Sequence, residues 1–243
     1  MLGLIKKEIG SFFSSLTGHV VIIVFLTISG LFIWVFPGEL NIPDSGYATL
    51  DTLFIIAPWV FLFLVPSVTM RMFAEEKRLG TLELLLVKPI TDFQIVIAKF
   101  IAAVVLVLIS LLPTLIYFWS VYTLGNPPGN LDTGAILGSY IGLIFLASCY
   151  AAIGVFASSL TENQIVAFII AVLLSFFFFT GFELISALAV NAGVEEFLLY
   201  LGINEHYRSI SRGVVDTRDL VYFVSLIAFF IFLTRTVLQS RKW

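Results

Sequence analysis

The sequence is short of nearly everything a soluble enzyme works with. Among 243 residues there are one cysteine, Cys149, and two histidines, His19 and His206. A single cysteine excludes an internal disulfide and any multi-cysteine metal site. Its apolar neighbours make it a packing residue rather than a reactive thiol. No His-Glu-x-x-His pattern occurs, so a zinc protease fails on ligand count. Glu205-His206 has no further ligand close by in sequence and reads as a surface pair. No Gly-x4-Gly-Lys-Ser/Thr loop is present to cradle phosphates, so the chain is not expected to hydrolyse ATP. No Ser/His/Asp set can be argued from scattered serines and a His19 at a membrane edge. Catalytic residues, a bound metal and a cofactor are therefore not expected. Charge is scarce too, at 12% against about a quarter in soluble domains.

What the chain has is oil. It is 60% hydrophobic with 25 phenylalanines, and its mean hydropathy is +1.07. A bilayer core of about 30 Å takes about 20 helical residues. Runs of that length cover residues 16–36, 50–70, 95–122, 134–160, 165–181 and 220–238. The predicted fold is an all-α integral membrane protein with six transmembrane helices in one domain, 1–243. None of these runs carries an acid or base at its centre, as ion-coupled carriers usually require. That weighs against a self-powered secondary transporter.

Residues 1–16 form an amphipathic segment. Leu2, Ile5, Ile9, Phe12, Phe13 and Leu16 recur at helical spacing, with Lys6, Lys7, Ser11 and Ser14 mainly opposite. Such a helix lies in the interface with its lysines toward anionic headgroups. A signal peptide is the competing reading, but no small-residue cleavage site follows Phe36. Pro58 and Pro66 interrupt the second run, as a structural kink or as a hinge. Gly134, Gly138 and Gly142 let helix backbones approach closely in lipid. They serve either a subunit interface or packing within one subunit. Thr91-Asp-Phe-Gln94 and Thr161-Glu-Asn-Gln164 have capping-box spacing. Residues 182–219 hold apolar pieces too short to span and are read as an extracytoplasmic helical hairpin. Lys6, Lys7, Arg71, Lys77, Arg78, Lys88, Lys99, Arg235, Arg241 and Lys242 fall on one side of this arrangement. Only Arg208, Arg212 and Arg218 fall on the other. By the positive-inside rule both termini are cytoplasmic, and the three dissenting arginines stay unexplained.

The largest cluster of charge lies between the second and third runs. Residues 71–94 form a cytoplasmic loop, with Glu75, Glu76, Lys77 and Arg78 in one polar turn and Gly80 placed to end it. Its stretch FAEEKRLGTLELLL (residues 73–86), followed by Pro89 and Lys99-Phe100, resembles the signature loop of ABC-2-type permeases, the membrane subunits of ATP-driven exporters. SSLTENQ (158–164) and HYRSISRGVVDTRDLVYF (206–223) resemble the gliding-motility-associated members. The resemblance implies an ABC-2 permease fold with the N-terminal segment as an elbow helix. It implies that residues 74–88 hold a coupling helix docking on a separate ABC ATPase subunit, which binds the ATP. The coupling role falls on Glu75, Glu76, Lys77, Arg78, Gly80, Thr81 and Glu83. The implied partners are that ATPase and a second permease copy or another membrane subunit, as homo- or heterodimer, in lipid and without nucleic acid. The implied place is the bacterial cytoplasmic (inner) membrane, with a role in gliding motility or surface export. A different class of function remains open, a non-transporting scaffold that recruits a cytosolic protein through 71–94.

Overall fold

The structure is a computed structural model that describes residues 1–82, 90–189, 191–213 and 216–240. Among these residues every regular element is helical. The N-terminal helix α1 is Leu2–Phe13. Ser15 caps α2, Leu16–Trp34, accepting from the Gly18 amide. A short helix α3, Ile42–Ser45, lies in the loop before α4, Asp51–Thr69. The chain breaks step at Met70 and continues as α5, Arg71–Arg78. The third long segment is α6, Asp92–Leu111, a 3-10 turn Leu112–Thr114 at Pro113, and α7, Leu115–Leu124. The fourth is α8, Thr133–Leu160. The fifth is α9, Gln164–Phe176, a π-helical turn Phe177–Gly181, and α10, Phe182–Ser186. Two short helices follow, α11, Ala192–Tyr200, and α12, Ile203–Ser211. The last is α13, Thr217–Gln239.

Six of these segments are long and apolar enough to cross a membrane: Leu16–Trp34, Asp51–Arg78, Asp92–Leu124, Thr133–Leu160, Gln164–Ser186 and Thr217–Gln239. They match the six predicted runs. The fourth is the axle. It packs against the second, third, fifth and sixth and against α12. Helices gain no hydrophobic drive from meeting in lipid, so small residues that admit close contact decide which helix goes inside. At Gly154 a Cβ would stand 2.0 Å from Thr69 Oγ1 on α4. At Gly138 it would meet the Gly213 backbone at 2.8 Å, and at Gly142 the Ile210 side chain at 3.2 Å. Gly138 and Gly142 thus seat α12 within this chain, whereas Gly134 meets only Asp132 next to it. Gly213 answers with φ of 87°, a backbone region where a side chain is strained.

Several local expectations change. The buried stripe of α1 is Leu4, Glu8 and Phe12, so a carboxylate faces inward while Leu2 and Leu16 stay exposed. α1 packs on α6 in addition to any interface it touches. The box at Thr91 is complete, with Gln94 answering the Thr91 amide. The one expected at Thr161 is absent. Asn163 caps α9 by accepting from the Ile165 amide, while Thr161 Oγ1 accepts from the Asn163 amide, so the helix starts two residues later than that box requires. The fifth span runs on to Ser186, through a π turn that the four consecutive phenylalanines did not announce.

Candidate functional site

The charged motif begins where α4 stops. The first amides of a helix have no partner inside it, and Met70, at the head of α5, has no side-chain acceptor to supply. The acceptor comes from another helix. Ser158 Oγ of α8 accepts from the Phe73 and Ala74 amides at 3.0 and 3.1 Å and donates to the Met70 carbonyl at 2.8 Å. One residue on, the Ser159 carbonyl accepts from Lys77 Nζ. The stretches 73–86 and 158–164, which resembled the same family separately, therefore touch.

Behind α5 lies a cluster of four charges that sum to zero. Lys99 on α6 has no exposed surface. Its Nζ stands 2.8 Å from Glu8 Oε1, 2.9 Å from Glu76 Oε2 and 2.5 Å from the Met72 carbonyl. It also lies 4.9 Å from the centre of the Phe73 ring. Glu76 Oε1 takes a 2.5 Å bond from Lys7 Nζ, and Lys7 stands 3.7 Å from Glu8. Partial burial disfavours the Lys7 ammonium, but the Glu76 bond and the charges of Glu76 and Glu8 outweigh it and hold its pKa above the ordinary lysine value. The network joins α1, α5 and α6, and Arg71 adds a bond to Thr17 on α2. An isolated buried charge is expensive, so these residues hold one another in place.

The predicted coupling residues divide. Glu76 and Lys77 are turned inward, at 6% and 8% exposure, and their charges are used inside the protein. Glu75 is half-buried, while Arg78, Gly80 and Thr81 are exposed beside Leu79. Gly80 ends the helix with φ of 65°, and Thr81 Oγ1 donates to the Glu76 carbonyl. Glu83 lies outside the described residues. Lys99 and Ser158 entered the sequence reading as parts of family-like stretches, and Glu8 not at all, so none of the three was assigned to the site. A signal existed for Glu8 and Lys99, since a carboxylate in the apolar stripe of α1 and an ammonium in the run IVIAKF each need an opposite charge.

The far end of the bundle has a second polar knot. His206 is buried, and pairs with Asp219 at 2.7 Å through Nδ1 rather than with Glu205. Its Nε2 lies 3.0 Å from the Tyr200 carbonyl, and its ring stacks 3.9 Å from that of Tyr222. The surface pair expected from sequence is thus a core contact tying α12 to α13. Asp219 sits in the first turn of α13, where the helix dipole favours a carboxylate. Tyr207 donates to the Phe54 carbonyl at 2.7 Å and ties α12 to α4 as well.

Six helices long and apolar enough to span, with polar clusters at the two ends of the bundle, define a multi-pass membrane protein. The model of the ABC-2 family transporter protein matches residues 47–239, most of the chain. The chain belongs to that family. No curated protein matches it. Members of the family are membrane subunits that typically partner with an ATPase subunit and are generally not themselves catalytic.

Proposed function

We propose that this chain is the permease subunit of an ATP-driven exporter, and that the loop 71–94 couples a separate ATPase to the spans. The supporting observation is the way α5 is held. Lys7 ties it to α1, Lys99 to the third span and Ser158 to the fourth. A push on the exposed tip at Arg78–Thr81 therefore reaches the bundle through short bonds rather than a slack loop. Arg78, Gly80 and Thr81 would face the ATPase, with Glu75 at the edge, while Glu76 and Lys77 transmit from inside. One six-span chain is half of such a transporter, so a second copy or another membrane subunit completes it. Lys7, Arg71, Lys77, Lys99 and Arg235, which lies 5.8 Å from the Phe93 ring, gather at the α5 end. That end is cytoplasmic in this reading, with both termini inside and the protein in the bacterial inner membrane. The stretches 158–164 and 206–223 favour a member serving gliding motility or surface export.

The test is co-purification from native membranes in mild detergent, followed by an ATPase assay. Arg78→Glu, on the exposed tip, is expected to lose the ATPase while the permease elutes unchanged. Glu76→Gln is expected to keep the ATPase but weaken its stimulation. If no ATPase accompanies the wild type, or Arg78→Glu changes nothing, the coupling reading falls and the scaffold reading replaces it.

A further inference from the structure

Two cavities flank α4 and share two of its side chains. The first is a groove of about 640 Å³ between α2 and α4, lined among others by Val24, Phe32, Val60 and Phe63, with Ser67 the one hydroxyl among its described walls. The second, of about 630 Å³, lies at the end of the bundle away from Glu76, and among its walls are Asp51, Phe179, Arg208 and Arg212. Ile55 and Trp59 line both. Each volume is in the range of roughly 300–1,000 Å³ usual for small-molecule sites. From Ile55 to Ser67 the groove follows α4 for 12 residues (67 − 55). At about 1.5 Å per residue that is about 18 Å, a little over half of the about 30 Å hydrocarbon core.

A long apolar slot beside a chamber with guanidinium groups, divided from it by Ile55 and Trp59, suits an amphiphile. Arg212 is exposed and makes no ion pair among the described residues, while Arg208 reaches only Glu183, at 3.5 Å. Asp51 opposes them, but it stands in the first turn of α4, where the helix dipole already favours its charge. Guanidinium forks suit phosphate oxygens. The chamber is also a built feature. The π turn carries Phe179, 3% exposed, into its wall, edge-on to Trp59 with ring centres 5.5 Å apart. A π turn inside an α-helix often marks a functional site.

We propose that these adjoining cavities together bind a phosphate-headed lipid, with the phosphate at Arg208 and Arg212 and one acyl chain along the α2–α4 groove, passing over Ile55 and Trp59. The site explains why two of the three arginines that depart from the positive-inside pattern stand where they do. It lies away from the α5 cluster and needs no nucleotide, so it stands or falls apart from the coupling reading.

The test is native mass spectrometry of the full chain in mild detergent, titrated with dioleoyl phosphatidylglycerol, with dioleoylglycerol lacking the phosphate, and with glycerol phosphate lacking the chains. Phosphatidylglycerol is expected to be retained about tenfold more strongly than either, the weight of one charge-assisted contact. Arg212→Gln, on an exposed side chain, is expected to lose that preference, and Arg218→Gln, outside the cavity, to keep it. Val24→Trp fills the groove and is expected to weaken retention with the elution profile unchanged. Equal retention of dioleoylglycerol, or full competition by glycerol phosphate, overturns the proposal. So does a Val24→Trp protein that changes oligomeric state with lipid binding intact, since a second copy would then be what covers the groove.

Discussion

Lys99 carries its charge where water cannot reach it, between two carboxylates and a carbonyl. Removing one member of such a set leaves the others uncompensated, which typically costs about 3–5 kcal/mol. Lys99→Met is expected to lose that much stability in a denaturant titration of the detergent-solubilised protein. Adding Glu8→Gln leaves Glu76 with Lys7 and is expected to restore part of it, a coupling that two independent sites would not show. Lys7 gives the pH dependence. Its pKa is raised in the fold, so the protonated form is favoured and its contribution is complete below the unfolded value of 10.5. That contribution is lost only as pH climbs through the raised value. The difference in melting midpoint between wild type and Lys7→Met should be flat from about pH 7 to 10 and shrink above it.

At the scale of the element, α5 depends on a cap that its own sequence lacks. Ser158→Ala leaves the Phe73 and Ala74 amides without an acceptor. Loss of a capping side chain costs about 0.5–2 kcal/mol, and the same variant is expected to reduce ATPase stimulation more than ATPase binding, because it loosens α5 from the fourth span without altering the exposed tip. The contact of α4 with α8 makes the opposite demand, for absence of a side chain. Gly154→Ala places a methyl group 2.0 Å from Thr69 Oγ1. Overpacking of this kind costs about 1–3 kcal/mol, and the loss should appear in the same titration. The element boundaries themselves were largely readable, since a span is a length of apolar residues and a capping box is a spacing. The π turn was not. Four phenylalanines suit an α-helix and a π turn equally, and the choice falls to what Phe179 packs against.

At the scale of the whole molecule, the clusters at the two ends make a topological prediction. In a Cys149→Ala background, Arg78→Cys and Arg212→Cys should react with a membrane-impermeant maleimide from opposite sides of intact cells. Reaction from the same side would overturn the six-span arrangement. Cys149 itself has no exposed surface and should stay unlabelled until the protein is denatured. The family was legible at this scale because it is carried by a contiguous motif and by the succession of apolar runs. The candidate site was legible only in part. Arg78, Gly80 and Thr81 lie at the surface, while Glu76 and Lys77, read from the same polar turn, face the interior.

What the sequence determined by itself is what depends on neighbours along the chain. Apolar length gave the six spans, residue spacing gave the Thr91 cap, and the placement of lysine and arginine set the orientation proposed here. Packing in three dimensions sets which charges meet and which cavities lie side by side. Glu8 and Lys99 are 91 residues apart, and Ser158 is 85 from Phe73. A buried charge declares from sequence that it needs a counter-charge, but several candidates qualify at any distance. The choice among them is made when α1, α5 and α6 pack and bring Lys7 and Lys99 within reach of the same two carboxylates.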